Sequence, residues 1–322
     1  MRLKLVPDQT NWDFFKYRTV TFGFSVVMMI ASLALWLTVG LNFGIDFRGG
    51  TTLRTQSEQA VDVGAYRAAI DPLGLGDVSI SEVFDPSFDA NQHVAMIRIQ
   101  SQEGEESLPA DTIAAVETAL KTVDESVHFT QVESVGPKVS GELVQTAVLA
   151  VAAALAAILI YIWLRFEWQF SVGAVAALFH DVLVTIGIFS LLQIRFDLAT
   201  IAALLTIIGY SINDTVVIFD RLRENLRKYK TMPLQDVMNL SVNETLSRTL
   251  MTSGTTLIAL IALLALGGDV IRGFVFAITW GIVVGTYSSV YVAKNIVLWL
   301  GVKRDWSKPT DTTGNQFANI DA

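Results

Sequence analysis

Hydrophobic and polar positions fall into two regimes along the chain. Six stretches are almost wholly apolar, at about 19–41, 143–164, 168–192, 198–219, 249–266 and 274–300. Each suits a helix crossing the roughly 30 Å hydrocarbon layer of a bilayer, which takes about 20 residues. At this hydrophobicity only a helix satisfies its own backbone in lipid. The fifth run is the shortest. Its helix is expected to begin near Ser241, which has a capping-box spacing to Glu244. The first run follows a polar and basic lead and is too long for a signal-peptide core, so it reads as a retained span.

Between the first and second runs the period changes. Residues 51–56, 77–84, 93–100 and 127–135 alternate or carry strand-forming composition, while 61–70 and 109–123 have helical spacing. The order βαββαβ predicts a ferredoxin-like domain of two helices on a four-stranded sheet. Its predicted core is Val78, Ile80, Ile97, Ile99, Ile113, Val116, Leu120, Val127 and Phe129. The expected fold class is therefore an α-helical membrane protein of six transmembrane helices. One extracytoplasmic α+β domain, 42–141, lies between helices 1 and 2. The remaining parts are a cytoplasmic N-terminus (1–18), helices 2–6 within 142–300, and a polar tail (301–322), disordered from Ser307.

Charge orients this arrangement. Arg2, Lys4, Lys16 and Arg18 precede the first span, and Arg165 separates the second and third. Arg221, Arg223, Arg227, Lys228 and Lys230 follow the fourth, and Lys303 and Arg304 follow the sixth. Six spans put all of them on one side, which the positive-inside rule makes the cytoplasm, with both termini there. The stretch 41–141 holds 16 acidic and 6 basic residues, net −10, within a chain of net −8. That acidity argues against nucleic acid as a partner. With no cysteine, the outer domain cannot rely on disulfides.

Candidate chemistry lies where polarity interrupts the apolar runs. Asp214 sits inside the fourth, and a carboxylate at such depth costs roughly 2.5–3.5 kcal/mol on insertion scales. Tyr210 is expected on its face, Ser211 on the adjoining flank, Asn213 beside it, and Gly209 as a point of close approach. Arg248 opens the fifth run at similar depth, with Thr252 and Thr255 continuing its face and Thr249, Ser253 and Thr256 broadening a hydroxyl-rich surface. An Asp214–Arg248 pair could be a static tie between helices or a proton relay, paired when ionised and freed when protonated.

His180 and Asp181 are adjacent in the third run. Neighbouring side chains diverge by about 100° on a helix, so they are expected on different faces, as interhelical contacts or secondary relay groups. An intramembrane hydrolase using Asp181 and Asp214 is a further reading, as is a stand-alone exporter of small molecules. Gly281 and Gly285 form a GxxxG packing signal, and Lys294 is expected to snorkel to the interface. His93 and His128 read as ordinary strand histidines. No Walker loop and no HExxH or GxSxG pattern is present, so neither ATP nor a hydrolytic site is expected. No metal or cofactor is expected either.

Several motifs together resemble the SecD–SecF protein-export family of the RND transporter superfamily. They are FGIDFRGGT (43–51), SVGPKVSGEL (134–143), LFHDVL (178–183), GYSINDTVVIFDRLREN (209–225) and NETLSRTLMTSGTT (243–256). The resemblance covers nearly the whole chain and is closest to the smaller, SecF-type members. It implies an inner-membrane subunit that pairs with SecD and joins the SecY–SecE–SecG channel. Such a subunit uses the proton-motive force to complete preprotein translocation after the SecA step, so H+ is the implied coupling ion. It also implies a role in proton passage for Asp214 and Arg248. Asp46, Gly49 and Gly50 in the first motif are expected to form a rigid junction between span one and the sheet.

Overall fold

The computed structural model describes residues 10–89, 91–101 and 107–302. Arg2, Lys4, Lys303, Arg304 and the tail from Ser307 lie outside the described residues. The chain enters through α1 (Arg18–Thr38) and a short junction of β1 (Asn42–Phe43) and α2 (Ile45–Arg48). The outer domain follows as β2 (Gly50–Ser57), α3 (Val63–Ile70), β3 (Val78–Val83), β4 (His93–Gln100), α4 (Ala110–Lys121) and β5 (His128–Val135). Then come α5 (Pro137–Arg165), α6 (Trp168–Leu192), β6 (Arg195–Phe196), α7 (Leu198–Lys228) and α8 (Leu234–Leu266). The last span is composite: α9 (Asp269–Ser288), a π-helical turn (Ser289–Ala293) and α10 (Lys294–Leu300). Among the described residues six helices are long and apolar enough to cross a membrane.

The outer sheet runs β3-β4-β2-β5 with every neighbouring pair antiparallel. Alternation puts Leu53, Ile80, Ile97 and Ile99 on one face, where they meet Tyr66 and Ile70 of α3 and Val116 and Leu120 of α4. Val78 and Val127 complete that buried cluster, with Ile113 and Phe129 half-buried against it. Asp62 caps α3 by accepting the Ala65 N–H at 3.0 Å.

Two ties hold the domain to the bundle. At the junction, Gly49 and Gly50 have φ of 75° and 137°, and a Cβ on Gly50 would collide with the Ile99 carbonyl. Asp46 accepts the Leu198 N–H at 3.1 Å, and β1 pairs in parallel with β6. Gly44 has an ordinary φ of −72°; its constraint is space, since a Cβ would press on the Arg195 guanidinium. At the second tie, Phe84 N–H donates to Asp269 at 2.7 Å and Asp269 N–H to the Phe84 carbonyl at 2.9 Å.

Several sequence expectations are corrected in the bundle. Helix α8 starts at Leu234, nearly two turns before Ser241, so there is no capping box there. Ser241 instead donates to the Val237 carbonyl at 2.7 Å and accepts from Asn225 at 3.0 Å. Glu244 accepts from Asn225 at 2.6 Å and Arg221 at 2.7 Å, so both residues tie α8 to α7. The last span starts at Asp269 rather than 274, and α5 at Pro137 rather than 143. Lys294 does not snorkel. It is 1% exposed, donates to the Phe14 carbonyl at 3.1 Å, and lies 4.0 Å from the Phe15 ring centre. The segment covering it is strapped down by Asn239 and Asn243, which bond the backbone of Trp12 and Phe14. Gly281 and Gly285 seat α9 on α7 against Ile207 and Ser211, whereas Gly209 has nothing within 4 Å and admits no neighbour.

Candidate functional site

Helices α6, α7, α8 and α9 converge on two buried carboxylates. Asp214 of α7 is 3% exposed. Its one hydrogen bond comes from the Ser253 hydroxyl of α8, at a long 3.5 Å. Ser253 also meets the Thr286 hydroxyl of α9 at 2.9 Å. Thr249, one turn before Ser253, is buried and its hydroxyl makes no hydrogen bond among the described residues. Thr256 continues this α8 face and accepts from the Tyr210 hydroxyl at 3.5 Å.

Arg248 makes no ion-pair contact with Asp214; it is close enough only to act through space. It is exposed, whereas Thr249 and Ser253 on the same helix are buried. Thr255 lies exposed and Thr252 half-buried on the Arg248 side, and their hydroxyls bond back to carbonyls of their own helix. Asn213 is also exposed and does not approach Asp214. The structure thus corrects the cluster read from sequence. Asp214 is met by Ser253, which in turn meets Thr286, while Arg248, Asn213 and Thr255 are exposed at the surface. Where no lipid or protein covers it, that surface is a polar band at membrane depth.

Asp181 of α6 is the second carboxylate, 1% exposed. One oxygen meets His180 Nδ1 at 2.9 Å, and the other accepts from Ser211 at 2.6 Å and Ser288 at 2.8 Å. The His180–Asp181 contact contradicts the expectation from helical geometry. The 100° divergence describes Cβ directions, and the imidazole is long enough to reach across it. Ser211, expected beside Asp214, serves Asp181 instead. The two carboxylates occupy separate networks, and neither forms part of a dyad with the other. Asp46, Gly49 and Gly50 lie at the domain junction, away from both.

Three hydroxyls of the last span were not singled out from sequence. Thr286 reaches the Asp214 network, Ser288 the Asp181 network, and Ser289 meets Thr215 of α7 at 2.8 Å. The available signal was the cluster Thr286-Tyr287-Ser288-Ser289 inside an apolar run. At its last residue, Ser289, the helix widens into the π-helical turn, a feature often found at functional sites. Tyr287 connects this region to α1, donating to the Thr21 carbonyl at 2.7 Å. Among the described residues no group of three or more His, Cys, Asp and Glu could hold a metal.

Comparison with known proteins matches this arrangement to one family. The model described as "Protein export membrane protein SecD/SecF, C-terminal" matches residues 115–303, and that of the SecD/SecF GG motif matches residues 34–61, the junction. A protein translocase subunit SecF from Cereibacter sphaeroides is 71% identical over 100% of this chain and 99% of its own length. The subunit from Rhodobacter capsulatus is 64% identical over 99% of this chain and 97% of its own. The crystal structure of SecDF from Thermus thermophilus, described as a translocon-associated membrane protein, superposes with a TM-score of 0.81 at 34% identity. It covers 93% of this chain, which spans only 40% of that longer one. The chain is a multi-pass membrane protein and belongs to the SecF branch of the SecD/SecF protein-export family.

Proposed function

We propose that this chain couples proton movement to late protein export, as the SecF half of a SecD–SecF pair in the inner membrane. The observation that carries the reading is the loose coordination of Asp214. A carboxylate nearly sealed from solvent holds one long hydrogen bond, beside a hydroxyl, Thr249, that holds none. Such a group has little to lose on changing protonation or partner. A charge crossing a 100 mV potential is worth roughly 2.3 kcal/mol, enough to bias a two-state helix arrangement.

Pairing with SecD is supported by the exposed polar band of Asn213, Arg248 and Thr255. Polar side chains at membrane depth face protein or water rather than lipid. A second set of helices against α7 and α8 would cover the band and bring Arg248 into the ionic circuit. The solved chain that is longer than this one leaves room for such a half. The same reading places the termini in the cytoplasm, the sheet outside, and the complex at the SecY–SecE–SecG channel after the SecA step. Preprotein is the cargo, H+ the coupling ion, and no hydrolytic step or cofactor takes part. The domain's βαββαβ order and its β3-β4-β2-β5 sheet support a ferredoxin-like assignment.

The test is export by vesicles carrying SecD, the channel and this chain. With Asp214→Asn, proton-gradient-driven completion of translocation should fall to the level without a gradient, while assembly with SecD and the early ATP-driven step persist. Normal late export by Asp214→Asn would leave the carboxylate a structural tie.

A further inference from the structure

A cavity of about 460 Å³ lies between the sheet face not covered by α3 and α4 and the outer ends of the membrane helices. Met96 and Arg98 of β4 form its roof. Ile194, Leu264 and Phe274, at or near the ends of α6, α8 and α9, supply apolar walls. Charged groups ring it, but most are already engaged. Asp269 holds Arg272 and the Phe84 N–H. Asp197 caps α7 through Thr200 and faces Arg195 at 3.5 Å. Glu82 lies 3.9 Å from His93.

Arg98 is the exception. Among the described residues no carboxylate lies within ion-pair distance of it. One guanidinium nitrogen donates to the Met96 sulfur at 3.3 Å, a weak acceptor, and its Nε is buried without a partner. Arg195 reaches the same sulfur at 3.8 Å from the other side. Two guanidiniums therefore converge on one thioether, and Asp197 is the carboxylate that acts on Arg98 through space. Burial, and then the neighbouring Arg195 charge, draw the Arg98 pKa down to about 10, leaving it cationic at neutral pH. An arginine so placed is suited to a planar or tetrahedral oxyanion that can take two parallel hydrogen bonds.

We infer that this cavity binds the phosphodiester of an anionic phospholipid, in the leaflet from which the outer domain rises. The position selects lipid over a soluble anion. The walls are the last apolar turns of membrane helices, and Leu266 and Val270 beside them are 73% and 61% exposed, open to acyl chains. A headgroup there would touch β4, α9 and the β6 region at once. It would thus add a lipid-dependent tie to the two protein ties between domain and bundle.

The experiment measures thermal stabilisation of the purified full-length chain in uncharged detergent, titrated with phosphatidylglycerol, phosphatidylcholine or inorganic phosphate. Phosphatidylglycerol should stabilise saturably, and phosphatidylcholine and inorganic phosphate at equal concentration should not. Arg98→Gln should weaken the phosphatidylglycerol midpoint about tenfold, the scale of losing a charge-assisted contact. If Arg98→Gln fails to fold, a photoactivatable phosphatidylglycerol on the wild-type protein should label β4 or the start of α9. An unchanged midpoint in Arg98→Gln, or labelling elsewhere only, overturns the site. Equal stabilisation by inorganic phosphate overturns its assignment to lipid.

Discussion

Asp181 and Asp214 are both buried in the same bundle, yet they are held in opposite ways. Asp181 takes contacts from His180, Ser211 and Ser288, all at 2.9 Å or less. Asp214 takes one, at 3.5 Å. Burying a carboxylate is tolerable when its lone pairs are filled, and removing its partners leaves a large desolvation cost. Asp181 is therefore built to stay as it is, a three-helix knot joining α6, α7 and α9. Asp214, with one long bond, is left free to change partner, as the proposed relay role requires. The two differ in the completeness of their hydrogen bonding, and that difference is what the proposed division of roles rests on.

The largest expected effect separates the two by stability. Asp181→Leu strips the acceptor from His180, Ser211 and Ser288 together and should destabilise the bundle by about 3–5 kcal/mol. Asp214→Asn should change stability by less than about 1 kcal/mol, since a single long bond is at stake. Reversible unfolding of both variants in detergent measures this. Equal losses would erase the distinction between knot and relay.

A second contrast tests the seam on which the Asp181 knot depends. Ser211 on α7 and Ser288 on α9 reach Asp181 only because α9 packs closely on α7 at Gly281 and Gly285. A Cβ at Gly281 would drive into Ile207. Gly281→Ala should cost about 1–3 kcal/mol from overpacking, and more than the helix gains from alanine. Gly209 also lies on α7 but has open space around it. Gly209→Ala should stabilise by about 0.5–1 kcal/mol through backbone entropy alone. Thermal unfolding of the two variants should therefore shift in opposite directions; a common sign would count against the seam.

How much of this was legible follows from the range of each interaction. Alternation marked β3 and β4 because each buries one face, and Ile80, Ile97 and Ile99 meet α3 and α4 accordingly. Asp214 stood out because a charge within an apolar run needs no partner to be noticed. What stayed hidden depends on distant partners or on reach. The Lys294 pocket is made by Phe14 and Phe15, some 280 positions earlier. Ser241 and Glu244 have a capping spacing, but their bonds go to Asn225 on the preceding helix. His180 and Asp181 obeyed the helical angle at Cβ and evaded it at their tips. The assumed Asp214–Arg248 contact failed for a related reason: similar depth says nothing about which way each helix is turned.

The smallest effect is also the finest test of the two-carboxylate contrast, because it removes one hydroxyl from each network. Ser211→Ala deletes a 2.6 Å bond to a carboxylate that is 1% exposed, with no water at hand to replace it. Hydrogen bonds to charged groups are worth about 1.5–3 kcal/mol, and loss at the low end of that range is expected, since His180 and Ser288 remain. Ser253→Ala deletes a 3.5 Å bond that lies at the limit of a real interaction. Its cost should be about 1 kcal/mol or less, most of it from the 2.9 Å contact with Thr286 that is lost at the same time. Export should reverse the ranking. Ser211→Ala, acting on the fixed knot, should leave proton-driven export near normal at temperatures where the protein is folded. Ser253→Ala, acting on the group that changes, should slow it severalfold. Measuring both variants for unfolding and for late-stage export gives a crossed result if the two aspartates do different work. Parallel losses in both assays would mean that one network serves both ends.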